Sequence, residues 1–226
     1  MRWHRPWIWW LLLPCVAAAE VATTSSDLPS RRRIVDYIHA RPFADVLYNH
    51  GLAQDKQFGL HPTCRDYRVE PVSITILSPI DLPEGKAHPV RGIWNFRYRF
   101  IRCGETRVYN VVFFASKGGV SAPTTRPYYP GVTEASPLLV KDAMVAAMLH
   151  ANLLAGKNTC PPPDVFNMQV TVPQRDVAGN GRIQRGVWDE RWTFRVCGKT
   201  VEVPIRFIPD ADGGGTSFVI PAAAGR

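Results

Sequence analysis

From Trp94 to Phe100 apolar and polar residues alternate without a break. Trp94, Phe96, Tyr98 and Phe100 take one face, and Asn95, Arg97 and Arg99 take the other. A period of two predicts a half-buried β-strand, here over residues 90–102. Further strands are predicted at 67–77 and 105–115, the latter turning Tyr109, Val111 and Phe113 to one side. After residue 160 the order returns, with strands predicted at 165–173, 185–196 and 199–208. Trp188, Trp192 and Phe194 form the inner face of the middle one, and Val201, Val203, Ile205 and Phe207 that of the next. Pro204 has no N–H to give a ladder, so its side of the strand is expected to be unpaired or at an edge. Asp212-Gly213-Gly214-Gly215 turns the chain into a last short strand, Thr216 to Ile220, with a truncated echo in Lys117-Gly118-Gly119-Val120.

Helical signals precede each group of strands. Ser30 reads as a cap before Ile34, Val35 and Ile38, and Pro42 opens a second segment carrying Phe43, Val46 and Leu47, with Gly51 as its exit. Ser136, Pro137 and Gly156 frame the clearest helix, whose apolar side is expected to hold Leu138, Val145, Met148 and Leu149.

The two groups resemble each other in detail. Residues 91–106 and 185–200 align without a gap and share eight of sixteen positions: Arg91/Arg185, Gly92/Gly186, Trp94/Trp188, Arg97/Arg191, Phe100/Phe194, Cys103/Cys197, Gly104/Gly198 and Thr106/Thr200. Chance gives about one match, so the sequence reads as a tandem duplication. The expected fold class is α+β, each unit being a helix packed on a small antiparallel β-meander and clamped by one disulfide. The expected boundaries are a signal peptide at 1–19, a leader at 20–29, unit one at 30–115, a linker at 116–135, unit two at 136–221 and a tail at 222–226.

Cysteine placement follows the repeat. Apart from Cys15 there are four, and each copy owns two, separated by 39 residues (Cys64, Cys103) and 37 (Cys160, Cys197). In an antiparallel hairpin, facing residues share a midpoint. The midpoints fall in Asp81-Leu82-Pro83-Glu84-Gly85-Lys86 and beside Gly179-Asn180-Gly181, both turn-forming stretches. The predicted bonds are therefore Cys64–Cys103 and Cys160–Cys197. Closely spaced zinc ligands of the C-x2-C kind are absent, and no metal or cofactor is expected.

Disulfides agree with the N-terminus. Arg2 and Arg5 precede an uncharged run from Pro6 to Ala19 that ends in Ala17-Ala18-Ala19. That is a secretory signal pattern, and at 14 residues it is short of the roughly 20 that cross a bilayer. A retained anchor and a lipid on Cys15 are the alternatives, the second disfavoured by Leu13-Pro14. No later segment is expected to span a membrane. The reading is an exported, periplasmic protein.

Charge and chemistry add less. Formal charge is +8, which suits anionic envelope polymer as a partner, although no basic run exceeds Arg31-Arg32-Arg33. Nucleic acid is not expected. The strand arginines Arg97, Arg99, Arg191 and Arg195 are the candidate anion-binding residues, standing opposite the core aromatics, with Arg91 and Arg185 on the same faces. Their alternative role is a solvated sheet face paired with Glu105 or Glu202. Arg126-Pro127-Tyr128-Tyr129-Pro130 is a second candidate contact, able to anchor a protein partner.

No catalytic set emerges. His39, His50, His61, His88 and His150 lack metal spacing, there is no G-x-S-x-G elbow, and Asp189-Glu190 and Asp210/Asp212 have no counterparts in copy one. The functional expectation is a non-catalytic binding or assembly module. A hydrolase with its site between the units, and a binder of anionic polymer through the strand arginines, are the alternatives.

Overall fold

The computed structural model describes residues 27–60, 63–156, 161–179 and 182–221. Among the described residues the chain is α+β, with three α-helices and two antiparallel four-stranded sheets. Helices α1 (Asp27–His39) and α2 (Arg41–Gln57) lead into β1 (Tyr67–Asp81), β2 (Arg91–Arg102), β3 (Glu105–Phe114) and β4 (Thr124–Tyr128). Helix α3 (Pro137–Ala155) leads into β5 (Asp164–Gly179), β6 (Arg182–Val196), β7 (Lys199–Pro209) and β8 (Thr216–Val219). Each sheet is a meander whose strands lie in chain order.

The alternation that predicts β2 is also what buries it. Trp94, Phe96, Tyr98 and Phe100 are all at most 2% exposed and pack with Tyr109, Val111 and Phe113 of β3 under Phe43 and Leu47 of α2. In the second sheet Trp188, Trp192 and Phe194 meet Val203, Ile205 and Phe207 under α3. The Trp94 ring stacks on Phe113 at 5.3 Å and Trp188 on Phe207 at 4.9 Å. Facing aromatics on neighbouring strands are the unit of stabilisation here.

Cys64 and Cys103 form the expected disulfide, with Cα atoms 6.1 Å apart at the open end of the β1–β2 hairpin. Cys197 is also disulfide-bonded. Its expected partner Cys160 lies outside the described residues, as do the signal run, the leader up to residue 26 and the tail.

Several local expectations need correction. Ser30 lies inside α1, which already begins at Asp27. Gly51 is no exit: α2 continues to Gln57, and Gly51 is buried where an added β-carbon would stand 2.6 Å from the Phe100 ring. Close helix–sheet approach, not termination, requires it. The stretch 116–135 contains β4, paired with β3 from Thr124 to Tyr128, because β3 offers a free edge that a Pro- and Thr-rich segment can still use. Pro204 does sit opposite Arg191 and beyond the reach of β8, which pairs only with Arg206–Pro209.

The largest correction concerns α3. Its buried face is Val140, Ala143, Met144, Ala147, Ala151 and Ala155, whereas Leu138, Val145 and Leu149 point away from the core. Alanines let the helix lie close to the bulky tryptophan face, leaving the longer side chains outside. With a mean hydropathy of 1.4 over its apolar window, α3 is also long and apolar enough to cross a membrane by length and composition, contrary to the sequence expectation. The ends follow the capping signals: Leu139 N–H donates to Ser136 Oγ at 3.2 Å, and Gly156 takes φ 68°.

The two meanders meet along the chain that joins them. Gly131 N–H donates to Val108 O of β3, while Val132 N–H donates to Met168 O and Met168 N–H to Pro130 O of the β5 side. Residues 130–132 thus reach both ways and close the outer edge of β5 at Met168.

Candidate functional site

Among the described residues, α3 carries more exposed large hydrophobic side chains than any other regular element. Leu138, Val145, Leu149 and Leu153 are 68%, 65%, 62% and 73% exposed, and Leu154 is exposed beside them. Their spacing of 7, 4 and 4 residues places them along one stripe. A surface helix ordinarily turns charges outward, so a helix apolar on both faces lacks a cover on one. Within the stripe the only charges are Lys141 and Asp142, adjacent and opposite in sign, so the face is close to neutral.

Beside α3 a groove of about 350 Å³ runs between α2 and α3, lined by Gln54, Phe58, Tyr128, Tyr129, Met144 and Met148 among others. The tyrosines expected as free anchors are half-buried in its wall, their rings 5.0 Å apart. Burial, with the Tyr129 hydroxyl nearby, pushes the Tyr128 phenol up to about 12. Arg126 lies over the Phe114 ring at 5.3 Å.

Under the second sheet, Glu190 is 1% exposed and surrounded by donors. Its Oε1 accepts from Trp188 Nε1 at 2.8 Å, Thr133 Oγ1 at 2.9 Å and Glu134 N at 2.9 Å, and its Oε2 from Trp192 Nε1 at 2.8 Å. A buried carboxylate so satisfied positions the two indoles and the start of α3. Its sequence neighbour Asp189 lies on the opposite face, 2.6 Å from Arg175 and 2.7 Å from Arg206. Burial pushes that carboxyl up, but the two guanidinium partners outweigh burial and hold it below its ordinary value. The two carboxylates therefore do not work as a pair. Asp210 and Asp212 serve a turn, accepting from Ser217 Oγ and Gly214 N.

The first sheet has its own buried polar group, which no sequence pattern announces. Arg102 is fully buried with Nε 2.9 Å from Asp55 Oδ2, while Tyr109 donates its hydroxyl to Asp55 Oδ1 at 2.6 Å. His50 Nδ1 lies 2.7 Å from the Tyr98 hydroxyl, and its Nε2 is buried without a hydrogen-bond partner. Burial lowers the His50 pKa to about 4. Where Arg102 and Tyr109 sit, the second unit has the apolar Val196 and Val203, so no repeat signal marks the cluster.

The four candidate anion-binding arginines are dispersed. Arg97 is half-buried and donates Nε to Asn110 Oδ1 at 3.0 Å; Asn110 in turn donates to the Tyr129 and Gly131 carbonyls. Arg99 lies 3.9 Å from Glu70, and Arg191 lies 3.5 Å from Glu202. Arg195 donates to the Phe58 carbonyl from across the join between the units. Among the described residues no three His, Cys, Asp or Glu side chains are grouped to hold a metal.

No family model, no curated protein and no solved structure matches this chain.

Proposed function

We propose that the chain is an exported, non-catalytic assembly module of two related units, 30–115 and 136–221, and that it pairs with a second copy through the outer face of α3. The observation that carries this reading is the neutral stripe Leu138–Val145–Leu149–Leu153 on a helix whose other face is already used. An isologous contact brings a surface against itself, and a stripe without net charge meets its mate without like-charge repulsion. Antiparallel pairing sets Leu138 of one copy near Leu153 of the other, with Val145 and Leu149 at the centre. A membrane-surface helix instead carries a basic polar face, and α3 has Lys141 as its single Lys or Arg. Duplication is supported by the matched sixteen-residue segments and the identical strand order of the two meanders. Export is supported by the residue 1–19 pattern and by the Cys64–Cys103 bond.

Sedimentation over a wide concentration range tests the pairing. A reversible dimer is expected, abolished by Leu149→Glu with Leu153→Glu at an unchanged unfolding midpoint, because both side chains are exposed. A wild-type chain that stays monomeric throughout, or that instead sediments with anionic vesicles, overturns the proposal.

A further inference from the structure

Two arginines from different units converge on one aromatic ring. The guanidinium carbons of Arg107 on β3 and Arg195 on β6 stand 3.8 Å and 4.3 Å from the centroid of Phe166. Each is anchored by a main-chain carbonyl: Arg107 Nη2 donates to Phe166 O at 2.6 Å, and Arg195 Nη1 donates to Phe58 O. These bonds fix the forks in place without neutralising them. Every ion pair seen among the described residues belongs to another arginine.

The pair is half-buried, which makes unneutralised charge costly. Burial lowers the Arg107 pKa, and Arg102 and Arg195 act in the same direction against Tyr109 and Asp55. Arg107 also walls a groove of about 400 Å³ with Thr106, Phe166, Asn167 and Thr193. Glu105 lies at the same groove, with Oε2 4.0 Å from Arg102 Nη2. A guanidinium has five N–H donors, and each of these two commits one nitrogen to a carbonyl.

We infer that this groove binds a phosphate group, with Arg107 as the direct donor, Arg195 as the second charge, and Thr106, Asn167 and Thr193 as neutral partners. Two fixed cations match a dianion better than a single carboxylate, and planar forks suit its oxygens. The site is built from both units and is separate from the α3 stripe, so it stands or falls independently of self-pairing.

Calorimetric titration with inorganic phosphate and with glycerol 3-phosphate, against chloride at matched ionic strength, tests it. Saturable binding of either probe is expected; equal affinity marks free phosphate as the ligand, and tighter glycerol 3-phosphate marks a phosphomonoester. Arg195→Gln and Arg107→Gln should each weaken binding about tenfold or more, while Arg182→Gln, removing the same charge at a distance, should leave it unchanged. If Arg107→Gln fails to fold, Arg195→Lys, which keeps the charge, should bind more tightly than Arg195→Gln, and Glu105→Gln should bind more tightly than wild type. No saturable heat above chloride, or equal losses in Arg195→Gln and Arg182→Gln, overturns the site.

Discussion

Gly131 lies against Met168 so closely that a β-carbon added to it would stand 2.1 Å from the Met168 carbonyl oxygen and 2.5 Å from its nitrogen. Its φ of 98° is also a conformation that L side chains rarely adopt. Gly131→Ala must therefore part the strands that meet there. A loss of about 2–4 kcal/mol is expected in urea unfolding, mostly from the join and not from either core. A change within a few tenths of wild type would show that the join carries no stability.

Trp188→Ala should cost about 3–5 kcal/mol through lost burial and a cavity. The same substitution removes one of the donors to Glu190, so Trp188→Phe, which keeps much of the volume, separates the two effects. A cost of about 1 kcal/mol in Trp188→Phe is expected from the one lost hydrogen bond, because Thr133 and Glu134 still donate to the same oxygen. No difference between Trp188→Phe and wild type would reduce the Glu190 contact to a bystander.

His50 gives the fold an acid limit. Its pKa falls from 6.5 in the unfolded chain to about 4 in the fold, because burial disfavours the imidazolium. The unfolded state therefore binds more protons between those values. The stabilisation is complete above pH 6.5 and is lost as pH falls towards 4, by up to about 3 kcal/mol. Unfolding free energies measured down this range should fall more steeply for wild type than for His50→Gln. Parallel slopes would refute the assignment.

Losing Cys64–Cys103 by Cys64→Ser should cost about 4 kcal/mol in the chain-entropy model for a loop of this length. Peptide mapping without reduction should also recover a 160–197 linked peptide. A peptide joining residues 64 and 160, or 103 and 197, contradicts the proposed pairing within units.

Arg97 and Arg191 occupy matched positions but should behave differently. Arg97→Gln removes the donor to Asn110, which holds the carbonyls of Tyr129 and Gly131, and should cost about 1–2 kcal/mol. Arg191→Gln loses an exposed contact to Glu202 at 3.5 Å and should change stability by less than about 0.5 kcal/mol. Equal effects in thermal unfolding would erase the distinction.

This divergence shows where sequence reading succeeds and where it stops. Alternation exposes β2 and β6 because one face of each strand is apolar and the other is not. The caps of α3 are equally legible, since Ser136 and Gly156 act locally. The buried face of α3 is not, because a helix apolar all round gives periodicity nothing to choose between. β4 gives no sequence signal, because Thr124–Tyr128 carries a proline and no alternation and is held by an edge offered from elsewhere in the chain. The candidate sites fare worse still. Arg107 and Phe166 lie 59 residues apart, and only the approach of β5 to β3 gives either a role. A lone arginine on a strand carries no such signal, and Asp189-Glu190 reads as a carboxylate pair until alternation sends the two side chains to opposite faces.

The strand orders leave four outer edges, β1 and β4 in one sheet and β5 and β8 in the other. β8 offers four residues, Thr216–Val219, to any newcomer, and β4 offers five with Pro127 among them. β1 is fifteen residues long, but bulges break its register at three places and it carries Pro71 and Pro79. β5 is sixteen residues long, but it carries Pro173, its register breaks at four places and Gly131 crosses its edge at Met168. None of the four presents a long flat template, so endless stacking of copies through their sheets, the route by which open β-structures grow into fibres, finds no regular border to start from.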